Sequence, residues 1–366
     1  MTVSQQLSAL EFFSGIGGLH LALKRVNANA SILSAFDWDS LAAQVYAENH
    51  PATPVLRTDI SLLTAEYLRS FSVDAWLLSP SCQPYTTLNP NAQGASDPRA
   101  KSFLHLVENV LPALHSTEHH PKYMFIENVA GFETSSTRQM LLKVLESLGY
   151  SYQELLITPV QFGIPNMRRR YYLLARSSTL LPFPTHVEGV LDYVPGRCQP
   201  WRDDYSAVKE IKSYLDPEDA YDYETYEIAR KTLHTWGRLF DITLPSRKHT
   251  NCFIRGYTRR VEGAGSILQL NEDLNTTEVF DAFLEAKEQG STDAVRLLDP
   301  LRLRYFTPSE LLRLFAFTDP RRDEEQFVWP ASVSTKVKYR LIGNSVNVKV
   351  VSELISYLLH VPPPPS

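Results

Sequence analysis

Through about residue 183 the apolar positions alternate between two spacings. Apolar runs of strand length occur at SALEFFSG (8–15), SILSAFDWD (31–39), DAWLLSPS (74–81) and KYMFIENV (122–129). Each is followed, directly or further on, by a stretch whose apolar residues recur at helical spacing: GGLHLALKRV, SLAAQVYAENH, the long DPRAKSFLHLVENVLPALHS and SSTRQMLLKVLESLG. YSYQELLIT (150–158) and RRRYYLLAR (168–176) predict a last pair of strands. Strands that alternate with helices predict an α/β domain around a largely parallel sheet. Strands that are apolar nearly throughout predict helices covering both faces of that sheet.

Beyond residue 183 the alternation stops. LPFPTHVEGVLDYVPGRCQPW is irregular and proline-rich, and 203–231 is acidic and tyrosine-rich, with partial helix expected. Order returns at RYFTPSELLRLFAF (304–317). There Thr307 is expected as an N-cap, with Pro308 at the first helical position and Glu310 three residues past the cap. The tail YRLIGNSVNVKVVSELISYLLH ends in an apolar helix that must dock against something, and the closing PPPP reads as a frayed terminus. No internal repeat is visible.

Bulk properties narrow the class. A chain of 366 residues is long for one core and predicts two domains, or one large domain with an insertion. The 43% hydrophobic and 21% charged content is that of an ordinary soluble protein. A net charge of −5 excludes a whole-molecule basic field, so a nucleic-acid site has to be a local patch. The three cysteines, Cys82, Cys198 and Cys252, are too few for a disulfide framework and form no C-x-x-C zinc pair. The start MTVSQQLSALEFFSG lacks the pattern of a signal peptide, and no run reaches the roughly 20 apolar residues that span a bilayer. The expectation is a soluble protein of the cytoplasm, with the nucleus as a second location, and no membrane partner.

Candidate chemistry gathers at the ends of the predicted strands. FFSGIGGLH sets Gly15, Gly17 and Gly18 between the first strand and its helix, where glycines let the backbone pass close to a ligand at a helix N-terminus. Asp37 closes the second strand 20 residues past Gly17, a place suited to ribose hydroxyls. A glycine-rich tight turn without a ligand is the competing reading. His20 stands where a dinucleotide fingerprint wants its third glycine, which points away from a nicotinamide oxidoreductase and toward another adenosine-bearing cofactor. In an open parallel sheet, ligands bind beyond the carboxyl ends of the strands. Cys82, after AWLLS, and Glu127, at the end of MFIENV, are therefore expected to face the same crevice as the glycines and Asp37. Each alone has a structural reading, a buried cysteine and a capping or ion-paired glutamate. Together beside a glycine loop they form a site. One reaction that needs a thiolate, a carboxylic acid and an adenosine-type cofactor is methylation of cytosine at carbon 5. A thiolate adds to carbon 6 while an acid protonates N3, and carbon 5 becomes nucleophilic enough to take a methyl group.

FFSGIGGLH, SPSCQP, ENV, NMRRRYY and GNSVNVKVV occur in the order of the motifs of the cytosine-5 methyltransferases, from about residue 8 to about 357. Within that family, CFIRGYTRRVEGAGSILQ (252–269), SFLHL and RYFTPSELLRLFAF resemble the branch called DNA methyltransferase 2, which methylates cytosine 38 in the anticodon loop of aspartate tRNA. The resemblance implies a Rossmann-like S-adenosylmethionine-dependent methyltransferase fold with a smaller inserted target-recognition domain. It implies a catalytic domain over 1–183, a target-recognition domain over 184–325 and a segment, 326–366, that returns to the catalytic domain. It makes Cys82 the nucleophile, Glu127 the acid at N3 and Asn128 a residue that sets the loop. Arg168 and Arg170 would hold the target base. Phe13, Ser14, Gly15, Gly17 and Gly18 would line the methionine side of S-adenosyl-L-methionine. Asp37 would take its ribose, Trp38 its adenine and Asp59 the adenine amino group, with Ile60 and Ser79 beside them. Asn344, Ser345 and Val346 would close the pocket.

Three positions depart from the family pattern. Ser81 replaces the proline before the nucleophile, as in some fungal members, and restores a backbone N–H. Thr87 replaces an arginine and Ile254 a threonine. The departures bear on rate rather than on reaction type.

SRKHTNCFIRGYTRR (246–260) holds five Lys or Arg and no acid, with Phe253 and Tyr257 interleaved. Basic residues among aromatics suit unstacked or single-stranded nucleic acid. Lys248, Arg255, Tyr257 and Arg259 are thus the candidate contacts to a tRNA, with DNA the weaker partner, and the enzyme is expected to act as a monomer. The competing reading of the stretch is a solvated loop over a small satellite core. Two other readings of the whole chain stay open, DNA cytosine methylation and a tRNA-binding protein without activity.

Overall fold

In the computed structural model, the described residues are 6–85, 94–183, 189–319 and 326–360. Eight strands make one sheet: β1 (Ser8–Phe12), β2 (Ser31–Asp37), β3 (Val55–Arg57), β4 (Ala75–Leu78), β5 (Tyr123–Val129), β6 (Ser151–Ile157), β7 (Arg170–Arg176) and β8 (Val190–Leu191). Their order is β3-β2-β1-β4-β5-β7-β6-β8. From β3 to β5 all neighbours run parallel, as expected. β7 is reversed, antiparallel to β5 and β6. The segment between β6 and β7 carries no crossover helix, so the chain can only turn back. The sheet continues past residue 183, because β8 pairs with β6.

Side chains alternate across the strands as the period of 2 demands. Leu10, Phe12, Trp76, Leu78, Met124 and Ile126 point to one face, and Ala9, Ala75, Leu77 and Phe125 to the other. α1 (Gly18–Val26) and α2 (Ser40–Asn49) contribute to the core of the second face, and α3 (Ala65–Arg69), α4 (Lys101–His105), α5 (Leu111–His115) and α6 (Ser136–Ser147) to that of the first. The long helix expected over 97–116 is interrupted. Between α4 and α5 the turns at Leu106–Val110 widen to the π form. Pro112, which has no N–H and crowds the preceding turn, follows directly.

The inserted region holds α7 (Tyr223–Tyr226), α8 (Arg230–Trp236), α9 (Thr276–Glu288), α10 (Pro308–Leu314) and a small sheet of β9 (Ile242–Thr243), β10 (Ile267–Gln269) and β11 (Leu303–Arg304). α10 begins as expected: Glu310 N–H donates to Thr307 Oγ1 at 3.1 Å and Thr307 N–H to Glu310 Oε2 at 2.8 Å. Glu310 also forms a fully buried ion pair with Arg304 at 2.7 Å, which the sequence pattern did not reveal. The tail supplies α11 (Thr335–Gly343) and α12 (Val348–Leu359). α12 docks against α1 and buries Val348, Val350, Val351, Leu354, Ile355 and Leu358, on the order of 10 kcal/mol of apolar burial as an upper bound. The core under α1 and α12 runs without a break into the inserted region, where Phe253, Tyr257, Phe306 and Leu311 share it.

Candidate active site

The first strand leaves the sheet at Phe12 and turns sharply into α1. Phe13 has φ +57°, a left-handed conformation that side chains rarely adopt, followed by Gly15 at +53° and Gly17 at +84°. The three glycines serve different ends. A side chain at Gly15 would meet nothing within 4 Å, so its backbone faces open space. A Cβ at Gly17 would lie 2.4 Å from His50, and one at Gly18 2.7 Å from Val346 and 3.1 Å from Phe317. Gly15 thus faces a cavity, while Gly18 is kept small by the returning tail. Asp37, at the end of β2, accepts Gly15 N–H at 2.7 Å and Asp39 N–H at 2.7 Å. Burial raises its pKa, opposed by these amides. Ser14 Oγ is buried without a hydrogen-bond partner.

A cavity of about 250 Å³ opens beside this turn, and Gly15, Asp37, Ser79, Cys82, Glu127 and Arg170 are among its lining. The β4 and β5 ends hold its chemistry. Glu127 follows the alternation of Phe125, and so leaves the strand pointing to the α1 face. Its Oε2 accepts the Ser79 hydroxyl at 2.7 Å, and its Oε1 faces Arg170 Nε at 3.6 Å. Asn128 Nδ2 donates to Pro80 O at 3.2 Å, which ties the Cys82 turn to β5. Burial pushes the Cys82 thiol up, with Arg170 opposing and Glu127 adding to the shift.

The two arginines differ in use. Arg168 is buried, and its guanidinium donates to Phe253 O at 2.9 Å, Gly343 O at 3.2 Å and Ser345 O at 2.5 Å. Burial, then Arg170, lowers its pKa. Only its Nε is buried without a partner. Arg168 therefore staples the inserted region to the tail, and it also lines the cavity beside Arg170. Arg170 lies at the cavity between Glu127 and Cys252, whose sulfur is 3.6 Å from its Nη2 and 3.5 Å from Arg168 Nη1. Burial raises the Cys252 pKa, but the two guanidinium groups outweigh it and the net shift is downward. Sequence reasoning used Cys252 in the cysteine count and as the start of a signature. Its contact with Arg170 had no local signal.

Residues 7–360 match the family described as C-5 cytosine-specific DNA methylase. The chain belongs to the C-5 cytosine methyltransferase family. A protein of Schizosaccharomyces pombe named tRNA (cytosine(38)-C(5))-methyltransferase is 39% identical over 360 residues, 98% of each chain. A Dictyostelium discoideum protein named DNA (cytosine-5)-methyltransferase is 33% identical over 97% of this chain and 95% of its own. A crystal structure of a Spodoptera frugiperda DNMT2 mutant superposes with TM-score 0.79 at 34% identity, covering 97% of this chain and 100% of the other. The likeness expected from the motifs, and the methyltransferase fold, are therefore met over nearly the whole chain.

As a C-5 cytosine methyltransferase, the chain places the remaining expected residues unevenly. Asn344 and Ser345 line the cavity, whereas Val346 is core against Gly18. Trp38 stands 68% exposed just past the end of β2. Asp59 Oδ1 caps the short helix Ile60–Leu62, accepting Ser61 N–H at 2.9 Å, and the Ile60 side chain is buried. Ser79 lines the cavity, with its hydroxyl bonded to Glu127. Tyr257 is corrected: its ring is core and its hydroxyl donates to Ser266 O at 2.7 Å. Phe253 is core too. Lys248 Nζ binds Ser206 O at 3.1 Å. Arg255 and Arg259 are exposed, and Arg255 acts electrostatically on Cys82. Thr87 lies outside the described residues.

A buried polar chain behind the glycine turn was not foreseen. Tyr46 O–H donates to Glu11 Oε2 at 2.8 Å, His20 Nδ1 meets Tyr46 Oη at 2.8 Å, and His20 stacks on His50 at 3.9 Å. Burial pushes Glu11 up to about 8 and lowers His20 to about 3 and His50 to about 4. The unusual His20 of the glycine motif is thus a packing residue. Arg340 on α11 pairs with Asp39, the N-cap of α2, which lines the cavity.

Proposed function

We propose that this chain is an S-adenosylmethionine-dependent tRNA cytosine-5 methyltransferase that acts on cytosine 38 of aspartate tRNA. The observation that carries the reading is the convergence of Cys82, Glu127 and Arg170 on one cavity beside the glycine turn, in a chain of this family. The residues of the cavity and of the strand ends beside it fit the cofactor. An open backbone at Gly15, the unpartnered Ser14 hydroxyl, the Asp37 carboxyl and the exposed Trp38 ring offer room, polar contacts and a stacking face. S-adenosylmethionine supplies the methyl group.

The chain's own residues prepare the base. The target cytosine leaves its stack, at lowest cost in a loop, and Arg170 and Glu127 meet its polar edge. The Cys82 thiol gives up its proton to water, and the thiolate adds to carbon 6, forming an S–C bond. Glu127 delivers a proton to N3, and the electron pair of the C5–C6 double bond becomes available at carbon 5. After carbon 5 has taken the methyl group, its proton passes to a base, the double bond re-forms as the Cys82 thiolate is expelled, and N3 returns its proton to Glu127. Arg255 and Arg259 contact RNA phosphates.

Labelled S-adenosylmethionine offered to total tRNA and, in parallel, to duplex DNA tests this, with Cys82→Ala as control and bisulfite sequencing to locate the product. Label at cytosine 38, lost in the control, is the expected result. The Dictyostelium relative's name favours DNA as a second reading. Label in DNA alone would establish that reading, and tRNA binding without label in either would leave a binding protein.

A further inference from the structure

Glu127 is held from both of its oxygens, and the hold on one of them is independent of the arginines. Ser79 sits one residue past the end of β4 and is half-buried. Its backbone N–H donates to Phe12 O at 3.3 Å, so the ladder between β1 and β4 continues through it. Its hydroxyl donates to Glu127 Oε2 at 2.7 Å. The next residue, Pro80, has its carbonyl tied to Asn128 Nδ2 at 3.2 Å. Ser79 is therefore fixed by main-chain bonds to the strand that precedes the glycine turn and by side-chain bonds to the strand that carries the acid.

We propose that Ser79 is a positioning residue for the acid and determines which oxygen of Glu127 carries the transferable proton. The proposal rests on the reading of Glu127 as the group that protonates N3. While the Ser79 hydroxyl donates to Oε2, that oxygen is an acceptor and the carboxyl hydrogen is left to Oε1. Oε1 is the oxygen on the Arg170 side, at 3.6 Å from its Nε, and both residues line the cavity. Without the hydroxyl, the carboxyl group is free to rotate and to carry its proton on either oxygen. Proton delivery then needs a conformer that is populated only part of the time. Among the described residues Ser79 is the one hydroxyl recorded as a hydrogen-bond partner of Glu127. No proton leaves Ser79 in this scheme; it donates the same hydrogen bond before and after transfer.

The family resemblance places Ser79 beside the cofactor, and the two roles separate kinetically. Ser79→Ala should lower kcat about tenfold, with KM for S-adenosylmethionine and for tRNA unchanged. Ser79→Thr, which keeps the hydroxyl, should restore kcat. Combined with Glu127→Gln, Ser79→Ala should cost nothing further, because the proton it positions is gone. Four results would overturn the proposal: an unchanged kcat in Ser79→Ala, a raised KM for S-adenosylmethionine in its place, no rescue by threonine, or a further loss in the double variant. A near-normal rate in Glu127→Gln alone would remove the acid role of Glu127, a separate failure read from that single variant.

Discussion

The rim of the sheet and the basic stretch 246–260 look equally rich in chemistry along the chain, but folding treats them differently. At the rim, Ser79, Cys82 and Glu127 line one cavity. In the basic stretch, similar-looking residues go separate ways: Phe253 and Tyr257 enter the core, Lys248 binds a carbonyl, and Arg255 and Arg259 stay exposed. The difference lies in what orients the side chain. Ladder hydrogen bonds and the alternation of a strand set the direction of Glu127 from its neighbours at Phe125 and Ile126. The 246–260 segment has no helix or strand. Its side chains point where distant partners accept them, such as Ser266 for Tyr257 and Ser206 for Lys248.

Substitutions can break this contrast. The largest effect should come at the rim. Cys82→Ala should lower methyl transfer at least about 1000-fold while leaving the melting temperature and S-adenosylmethionine binding unchanged. Retained turnover would mean the rim does not carry the chemistry. In the wild-type enzyme, single-turnover rate should climb from neutral pH toward 9, because burial keeps the Cys82 thiol protonated above its ordinary value.

Within the basic stretch, two neighbours should behave in opposite ways. Tyr257→Ala should destabilise the protein by about 3 kcal/mol or more in denaturant titrations, since it empties a core site and leaves Ser266 O without its donor. Arg255→Ala should leave stability within about 0.5 kcal/mol and weaken tRNA binding, with the slope of log affinity against log salt shallower by about 1. A Tyr257→Ala protein that is stable but loses tRNA would return the aromatics to the binding surface.

The smallest and most specific effect concerns the Glu11 chain behind the glycine turn. Folded Glu11 holds its proton up to about pH 8, whereas the unfolded chain releases it near 4.5. Its raised pKa therefore makes stability fall as pH rises across that window and level off above it. Glu11→Gln removes the slope. The melting-temperature advantage of this variant over wild type should grow from pH 5 to pH 8. A constant difference would mean that Glu11 is ionised in the fold. His20 and His50, both lowered by burial, act in the opposite sense, costing stability as pH falls from 6.5 toward 4.

Much of the catalytic half is legible from local pattern. The strand ends at Phe12, Asp37 and Leu78 fall where apolar runs stop at glycine, acid or serine, and Thr307 caps α10 as its spacing requires. The short edge strand β3 is not distinct in the sequence, because three residues carry little period, and β7 reads as a strand whose antiparallel direction depends on a connection. Gly18 reads as a ligand glycine, yet Val346 from the far end of the chain is what forbids a larger residue there. Arg168 and Arg170 read as equals, and only the carbonyls of residues 253, 343 and 345 make the first a staple.

The sequence by itself determined the elements of the α/β half, the family, and the position of Cys82 and Glu127 at strand ends, because each depends on periodicity or on motifs a few residues long. The tertiary structure alone decided which basic and aromatic residues are core, which arginine is spent on carbonyls, and that Ser79 meets Glu127 across 48 positions. Those outcomes depend on contacts between segments far apart in the chain, where burial and hydrogen-bond partners are assigned only when the sheet, the inserted region and the tail close on one another.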